Sequence, residues 1–197
     1  MHLYCASGNQ GKLREFQMAA EHAPVEIELV PDFRELPPAV EDGATFEENA
    51  VKKALHYGQW ADGLLFADDS GLEVDALGGA PGVYSARYSG PQATDEANNR
   101  LLLENLRGVA DRRARFVCAV ALVAGGTVRG VYRGSVEGRI LDEARGGHGF
   151  GYDPLFFHES FGCTFGEASD AQMAELIALA RAGIAQLVEM QKKALKQ

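Results

Sequence analysis

Arg115-Phe-Val-Cys-Ala-Val-Ala-Leu-Val-Ala124 is the stretch that decides the fold. Valine-rich and uninterrupted by any turn former, it reads as the strongest strand in the chain. Gly125-Gly126 follows and turns it into a second strand over Thr127 to Arg133, because a two-glycine turn supplies the backbone twist a tight hairpin needs. The sheet is therefore at least partly antiparallel. Working upstream, Leu64 to Ala67 reads as a short buried strand that ends abruptly at Asp68-Asp69-Ser70-Gly71. His2 to Ala6 is a first strand, and the loop Ser7-Gly8-Asn9-Gln10 leads into a helix from Gly11 to about Glu21 with Leu13, Phe16 and Ala20 on one face. Val25 to Val30 alternates apolar and acidic residues, as a second strand would.

The segment PDFRELPPAVEDGA is rich in proline and acid and predicts a surface loop. After it Thr45-x-x-Glu48 is a capping box, and Phe46, Ala50, Ala54 and Tyr57 continue it at helical period. Residues 71–90 are too punctuated by glycine for a long element. Thr94 caps a helix to about Leu106, with Asp95 and Glu96 where the helix dipole favours acids. Downstream of the hairpin, Ser135 to Leu141 reads as a further strand, and GGHGFGYDPLFF as a glycine loop followed by one. Ser169-x-x-Gln172 opens a C-terminal helix whose apolar stripe is Leu176, Ile177, Ala180, Ile184, Leu187 and Val188. The chain is thus predicted to be a mixed α/β protein.

Length and composition narrow the functions. With 197 residues, 46% hydrophobic and 24% charged, the chain suits one domain or two small lobes and is too apolar for a disordered protein. Nineteen basic against 28 acidic residues give a net charge of −9. That balance argues against a protein that coats duplex DNA or an anionic membrane, but not against a small anionic ligand held by a local cradle and a metal. No basic-then-apolar leader and no long apolar run is present, so the expected compartment is the cytoplasm. Cys5, Cys118 and Cys163 have no metal-binding spacing, and Cys5 and Cys118 read as free thiols in strands. Glycine is frequent, 23 residues or about 12% against roughly 7% on average, which directs attention to the loops.

Three loops carry chemistry. Ser7-Gly8-Asn9-Gln10-Gly11-Lys12 leads a strand into a helix, so it is either an anion cradle of backbone N–H groups completed by Lys12, or a plain helix N-terminus capped by Asn9. It is not a P-loop, because Ala6 stands where the first glycine belongs and Leu13 follows the lysine. Asp68 and Asp69 are costly together at a strand end unless a cation compensates them, and Mg²⁺ suits their oxygens; otherwise one caps the turn and the other is solvated. Glu41 and Asp42 form a second acidic group, and Lys53 lies where it can point inward beside the carboxylates. Finally, Gly149-Phe150-Gly151-Tyr152-Asp153 sets two aromatics and an acid in one loop, which either stacks and reads a nucleobase or closes the core. His148 beside it is either a ligand or acid, or has no role.

The segments SGNQGKLREF, VEDGATFEENAVKKA, ADDSGLEVDALGGAPGVYSARYSG and GFGYDPLFF, running in this order from Ser7 to Phe157, resemble the inosine triphosphate pyrophosphatase family. The resemblance implies an α/β fold with a long mixed central sheet flanked by helices and two lobes with a nucleotide cleft between them. It implies one such domain over residues 1–197, usually in a homodimer. The implied reaction is Mg²⁺-dependent hydrolysis of aberrant purine nucleoside triphosphates (dITP, ITP, XTP) to the monophosphate and pyrophosphate. By position, Ser7, Gly8, Asn9, Gln10, Gly11 and Lys12 would hold the triphosphate, and Ser70 would touch the substrate. Asp69 would act at the metal and as general base, and Lys53 would offset phosphate charge. Phe150, Gly151, Tyr152 and Asp153 would hold the base. Glu41 is the choice for the second metal ligand, with Asp42 as its fallback.

The chain departs from the family pattern near its C-terminus. Met173 stands in place of a lysine, and Ile177-Ala178-Leu179 in place of a Ser-His-Arg that reads the purine edge. A lost charged hydrogen bond costs roughly 1.5–3 kcal/mol, so selectivity for the inosine and xanthine bases is expected to weaken. The alternative reading is a catalytically weak nucleotide-binding relative with altered base specificity.

Overall fold

The computed structural model describes residues 2–20, 25–169 and 171–172. Its frame is one mixed sheet of seven strands in the order β2-β1-β3-β4-β5-β6-β7. The strands are β1 (His2–Cys5), β2 (Glu26–Leu29), β3 (Leu64–Val74), β4 (Arg113–Ala124), β5 (Thr127–Ile140), β6 (Phe156–His158) and β7 (Cys163–Thr164). Among the described residues the α-helices of the fold are α1 (Gln10–Ala20), α2 (Phe46–Tyr57) and α3 (Asp95–Asn105). β1 pairs in parallel with β2 and β3, and every later pairing is antiparallel. Among the described residues no helix is long and apolar enough to cross a membrane.

The hairpin forms as expected, with Gly125 and Gly126 at φ 55° and 71°, the left-handed values that both central residues of such a turn require. Two strands run longer than the sequence predicts. β5 continues through Ser135 to Ile140 as one strand instead of two, because β4 offers it a hydrogen-bonding partner back to Arg113. β3 does not stop at Ala67. It carries Asp68, Asp69, Ser70 and Gly71 onward to Val74, paired to β4 over its whole length. Polar residues that break a strand in isolation are kept extended here by the neighbouring ladder.

That continuity divides the side chains of β3 between two faces, since successive residues of a strand point to opposite sides. Leu65 and Ala67 join a core with Phe46, Ala50, Ala54 and Tyr57 of α2. Phe66 joins the opposite core, with Leu3, Cys5, Ala20 and Ile27, against which Leu13 and Phe16 of α1 pack. Farther along, Leu72 and Val74 enter a third core with Leu102 and Leu106, the fully buried Phe156, and Tyr152. The aromatic rings of Phe116, Phe156 and Phe165 lie 4.5–5.8 Å apart there. Helix α2 starts as predicted: Thr45 Oγ1 accepts from Glu48 N at 3.1 Å. The reciprocal bond from Glu48 goes one residue earlier than a capping box places it, to Ala44 N. Thr94 likewise caps α3 through Ala97 N. Ser169 and Gln172 exchange the expected capping bonds; the apolar stripe from Leu176 to Val188 lies outside the described residues. Cys5 and Cys118 lie in β1 and β4, in strands as expected, and neither they nor Cys163 are joined in a disulfide.

Candidate active site

The site lies where β3 loses a neighbour. On that edge β1 pairs with β3 as far as Phe66, and Ala6 N makes the last bond, to Phe66 O at 2.9 Å. From there the chain turns away into α1, and the next groups of β3 need partners from elsewhere. The Lys53 ammonium donates to Asp68 O at 2.9 Å. Leu72 N donates to Ser85 Oγ at 2.9 Å. An exposed strand edge is thereby satisfied by side chains, and the charges it gathers are those the sequence pointed to.

Asp68 and Asp69 do not share one cluster, contrary to the expectation of paired carboxylates at a strand end; the alternation of β3 sends them to opposite faces. Asp68 is 2% exposed, and its Oδ2 accepts from Lys12 Nζ at 2.6 Å and from Ser70 Oγ at 3.1 Å. Burial alone would lower the Lys12 pKa, but the charge and hydrogen bond of Asp68 hold it above its ordinary value. Asp69 faces α2. Its Oδ2 accepts from Asn49 Nδ2 at 3.0 Å and its Oδ1 from Ser70 N at 3.2 Å. Burial raises the Asp69 pKa, Asn49 and Lys53 offset part of that, and the nearby Glu41 charge adds to it. It is a carboxylate whose negative charge is under-compensated.

Lys53 joins the edge of β3 to the acidic loop. Its Nζ stands 3.0 Å from Glu41 Oε2 as well as on the Asp68 carbonyl. Asp42, one residue on, turns outward to Lys52 at 2.5 Å, which holds its carboxyl below the ordinary range. Of the two acids left open by the sequence, Glu41 is the one directed at Lys53. Asn49 escaped the sequence reading altogether. The signal was its position four residues before Lys53, which puts both on one helical face.

In the first loop Asn9 caps α1: its Oδ1 accepts from Gly11 N at 2.8 Å and Lys12 N at 3.3 Å, and Asn9 N lies 3.4 Å from Ser7 Oγ. Gly8 borders Phe33 of the acidic loop, and Gln10 opens the helix. The glycine loop closes in from the other side, because the Phe150 ring comes within 3.5 Å of where a Cβ on Gly11 would stand. Its two aromatics have separate fates. Phe150 is 44% exposed, whereas Tyr152 is in the core with its hydroxyl donating to Ser85 O at 2.8 Å. Asp153 shapes the loop by accepting from Phe150 N at 2.9 Å. The first turns of α3 grip Gly151, through Asp95 Oδ2 on its N–H and Asn99 Nδ2 on its carbonyl. His148 is exposed. Met173, Ile177, Ala178 and Leu179 lie outside the described residues.

The oxygens of Glu41 and Asp69, both carboxylate and both beside a lysine that stands in as their cation, have the donor chemistry of a hard divalent ion. The under-compensated charge of Asp69 fits the same ligand. Lysines and acids gathered on a sheet edge beside a capped helix start and an exposed ring have the chemistry to hold a polyanionic, ring-bearing ligand.

The sequence profile described as the Ham1 family matches residues 3–190. A dITP/XTP pyrophosphatase from Syntrophobacter fumaroxidans is 49% identical over 97% of this chain and 81% of its own. A HAM1 protein from Coxiella burnetii superposes with a TM-score of 0.86 at 34% identity, covering 96% of this chain and 98% of that one. The Ham1 protein of Staphylococcus aureus gives 0.81 at 36% identity, over 94% and 99%. The chain belongs to the Ham1 family.

Proposed function

We propose that the protein is a Mg²⁺-dependent nucleoside triphosphate pyrophosphatase that hydrolyses aberrant purine triphosphates of the dITP, ITP and XTP kind to the monophosphate and pyrophosphate. The observation that carries this reading is the half-buried Asp69 carboxylate, held on both oxygens and set opposite Lys53 and Glu41. The names of the relatives support it.

A triphosphate brings about four negative charges, so attack at its α-phosphorus needs charge neutralisation more than covalent help. Lys12 and Lys53 would supply two cations, Lys12 by directing a second of its three N–H donors to a phosphate oxygen while keeping its Asp68 contact. Ser7, Gly8, Gln10 and Gly11 would line the tail beside Asn9, which holds the helix start in shape. Ser70, whose hydroxyl bonds Asp68 beside Lys12, would touch the substrate. Asp69, kept as a strong acceptor by burial, would orient water and take its proton as the water oxygen bonds to phosphorus and pyrophosphate leaves with the bonding pair. Mg²⁺ held by Glu41 and Asp69 would supply the remaining neutralisation of the polyphosphate. Phe150 would stack on the base, with Gly151, Tyr152 and Asp153 setting the loop that presents it. Met173, Ile177, Ala178 and Leu179 carry no donor for the purine edge, so base selectivity would be relaxed. The reading includes a homodimer, as the family resemblance implies, working in the cytoplasm.

The test is a triphosphate panel with separate detection of pyrophosphate and phosphate. Mg²⁺-dependent pyrophosphate from ITP or XTP is expected. Phosphate as the product overturns the reaction, and tight ITP binding without turnover selects the nucleotide-holding alternative.

A further inference from the structure

The geometry points to Asn49 as the positioning residue of this site: its buried side-chain amide ties the Asp69 carboxylate to the backbone of the loop that carries Glu41, and so sets the two carboxylates relative to each other. The inference rests on the reading of Asp69 and Glu41 given above and adds a residue that touches neither water nor phosphate.

Asn49 is 1% exposed in the first turn of α2. Asparagine gains little for a helix there, and a buried amide is costly unless its polar atoms are bonded. Both ends are. Nδ2 donates to Asp69 Oδ2 at 3.0 Å and Oδ1 accepts from Gly43 N at 2.8 Å. A primary amide is the side chain that offers a donor at one end and an acceptor at the other. A carboxylate at this position would face Asp69 with like charge, and a leucine would leave both partners unbonded.

The loop side of the bridge is built to match. A Cβ on Gly43 would stand 2.7 Å from Asn49 Oδ1, 2.8 Å from Glu48 Cβ and 3.1 Å from Asn49 N. Glycine is required there for close approach, and the N–H it brings in lies two residues from Glu41. The helix that carries the amide is pinned separately. Glu48 binds Ala44 N, and Glu47 pairs with Arg133 of β5, which also holds Glu73 of β3. Asn49 therefore sits on a fixed support and transmits that fixity to both acids.

Two variants load the bridge from opposite ends. Asn49→Asp keeps the acceptor for Gly43 and loses the donor to Asp69, whereas Gly43→Ala keeps Asn49 and displaces the loop. Each is measured for kcat and KM with ITP, for Mg²⁺ affinity by calorimetry without nucleotide, and for Tm. Expected in both is a loss of roughly 10–100-fold in kcat and in Mg²⁺ affinity, with KM for ITP nearly unchanged. A variant folded as wild type by Tm with kcat and Mg²⁺ affinity also at wild-type level overturns the proposal, as does a loss confined to KM. Should Asn49→Asp fail to fold, Gly43→Ala decides by the same criteria. If the wild type binds Mg²⁺ but releases no pyrophosphate, the functional reading fails, and the calorimetric comparison still decides the role of Asn49.

Discussion

Asp68 and Asp69 are chemically identical neighbours on one strand, and the two faces of β3 treat them in opposite ways. On the α1 face Asp68 is closed off: it is buried, paired to Lys12 and bonded to Ser70. On the α2 face Asp69 receives one amide and one backbone N–H, keeps a raised pKa, and looks toward another acid across Lys53. The first arrangement holds a cation in place; the second leaves a carboxylate with unmet charge. A pleated strand can therefore put a buried ion pair and an under-compensated carboxylate on consecutive residues, on opposite faces of the sheet.

The sharpest way to break this comparison is to neutralise Asp69. Asp69→Asn is expected to lower pyrophosphate release by about 10²–10⁴-fold, the range for a general base, while raising the stability of the metal-free protein at pH 7. The sign follows from linkage. A carboxylate whose folded pKa lies above its unfolded value contributes stability at pH below the unfolded value and loses it as pH rises through the folded one. The gain in Tm of Asp69→Asn should accordingly disappear in acid; a variant less stable than wild type at neutral pH would contradict the under-compensated charge.

The mirror experiment concerns the other face. Lys12→Met strands the buried Asp68 and should destabilise by about 3–5 kcal/mol in denaturant unfolding, with part of the loss recovered when Asp68→Asn is added. Because the Lys12 pKa is raised by its partner, the pair's contribution is complete below the unfolded lysine value and fades as pH climbs through the folded one. Equal stability of Lys12→Met and wild type would mean that the ion pair is not structural.

A smaller effect separates the two acids of the loop. Glu41→Gln should raise the half-saturating Mg²⁺ concentration by at least roughly tenfold, as loss of a well-held ligand does, and Asp42→Asn should leave it unchanged, because Asp42 is turned out to Lys52. The reverse order would reassign the ligand. The smallest contrast is within the glycine loop. Phe150→Ala should raise KM by the equivalent of about 1–3 kcal/mol of stacking. Tyr152→Phe should cost about 1 kcal/mol of stability for its lost bond to Ser85, with KM unaltered.

Local signals were legible where the physics is local. The hairpin at Gly125-Gly126, the caps at Thr45 and Thr94 and the inward lysine of α2 all follow from turn chemistry and helical period. The strand ends were not legible, since β3 and β5 run on only because β4 accompanies them. Asn49 was readable as a neighbour of Lys53 on one face, but nothing in the chain announced that Gly43 and Asp69 would meet its two ends.

The sequence by itself determined the membership, the order of the elements and the residue types that gather at the site, because motif, spacing and period are properties of the chain. Only the tertiary structure decided which aspartate is paired to Lys12 and which faces Asn49, that Glu41 and not Asp42 approaches Lys53, and that Phe150 is exposed while Tyr152 is core. Each of those choices depends on which partner lies across space, and burial, alternation and charge compensation exist only once the sheet has formed.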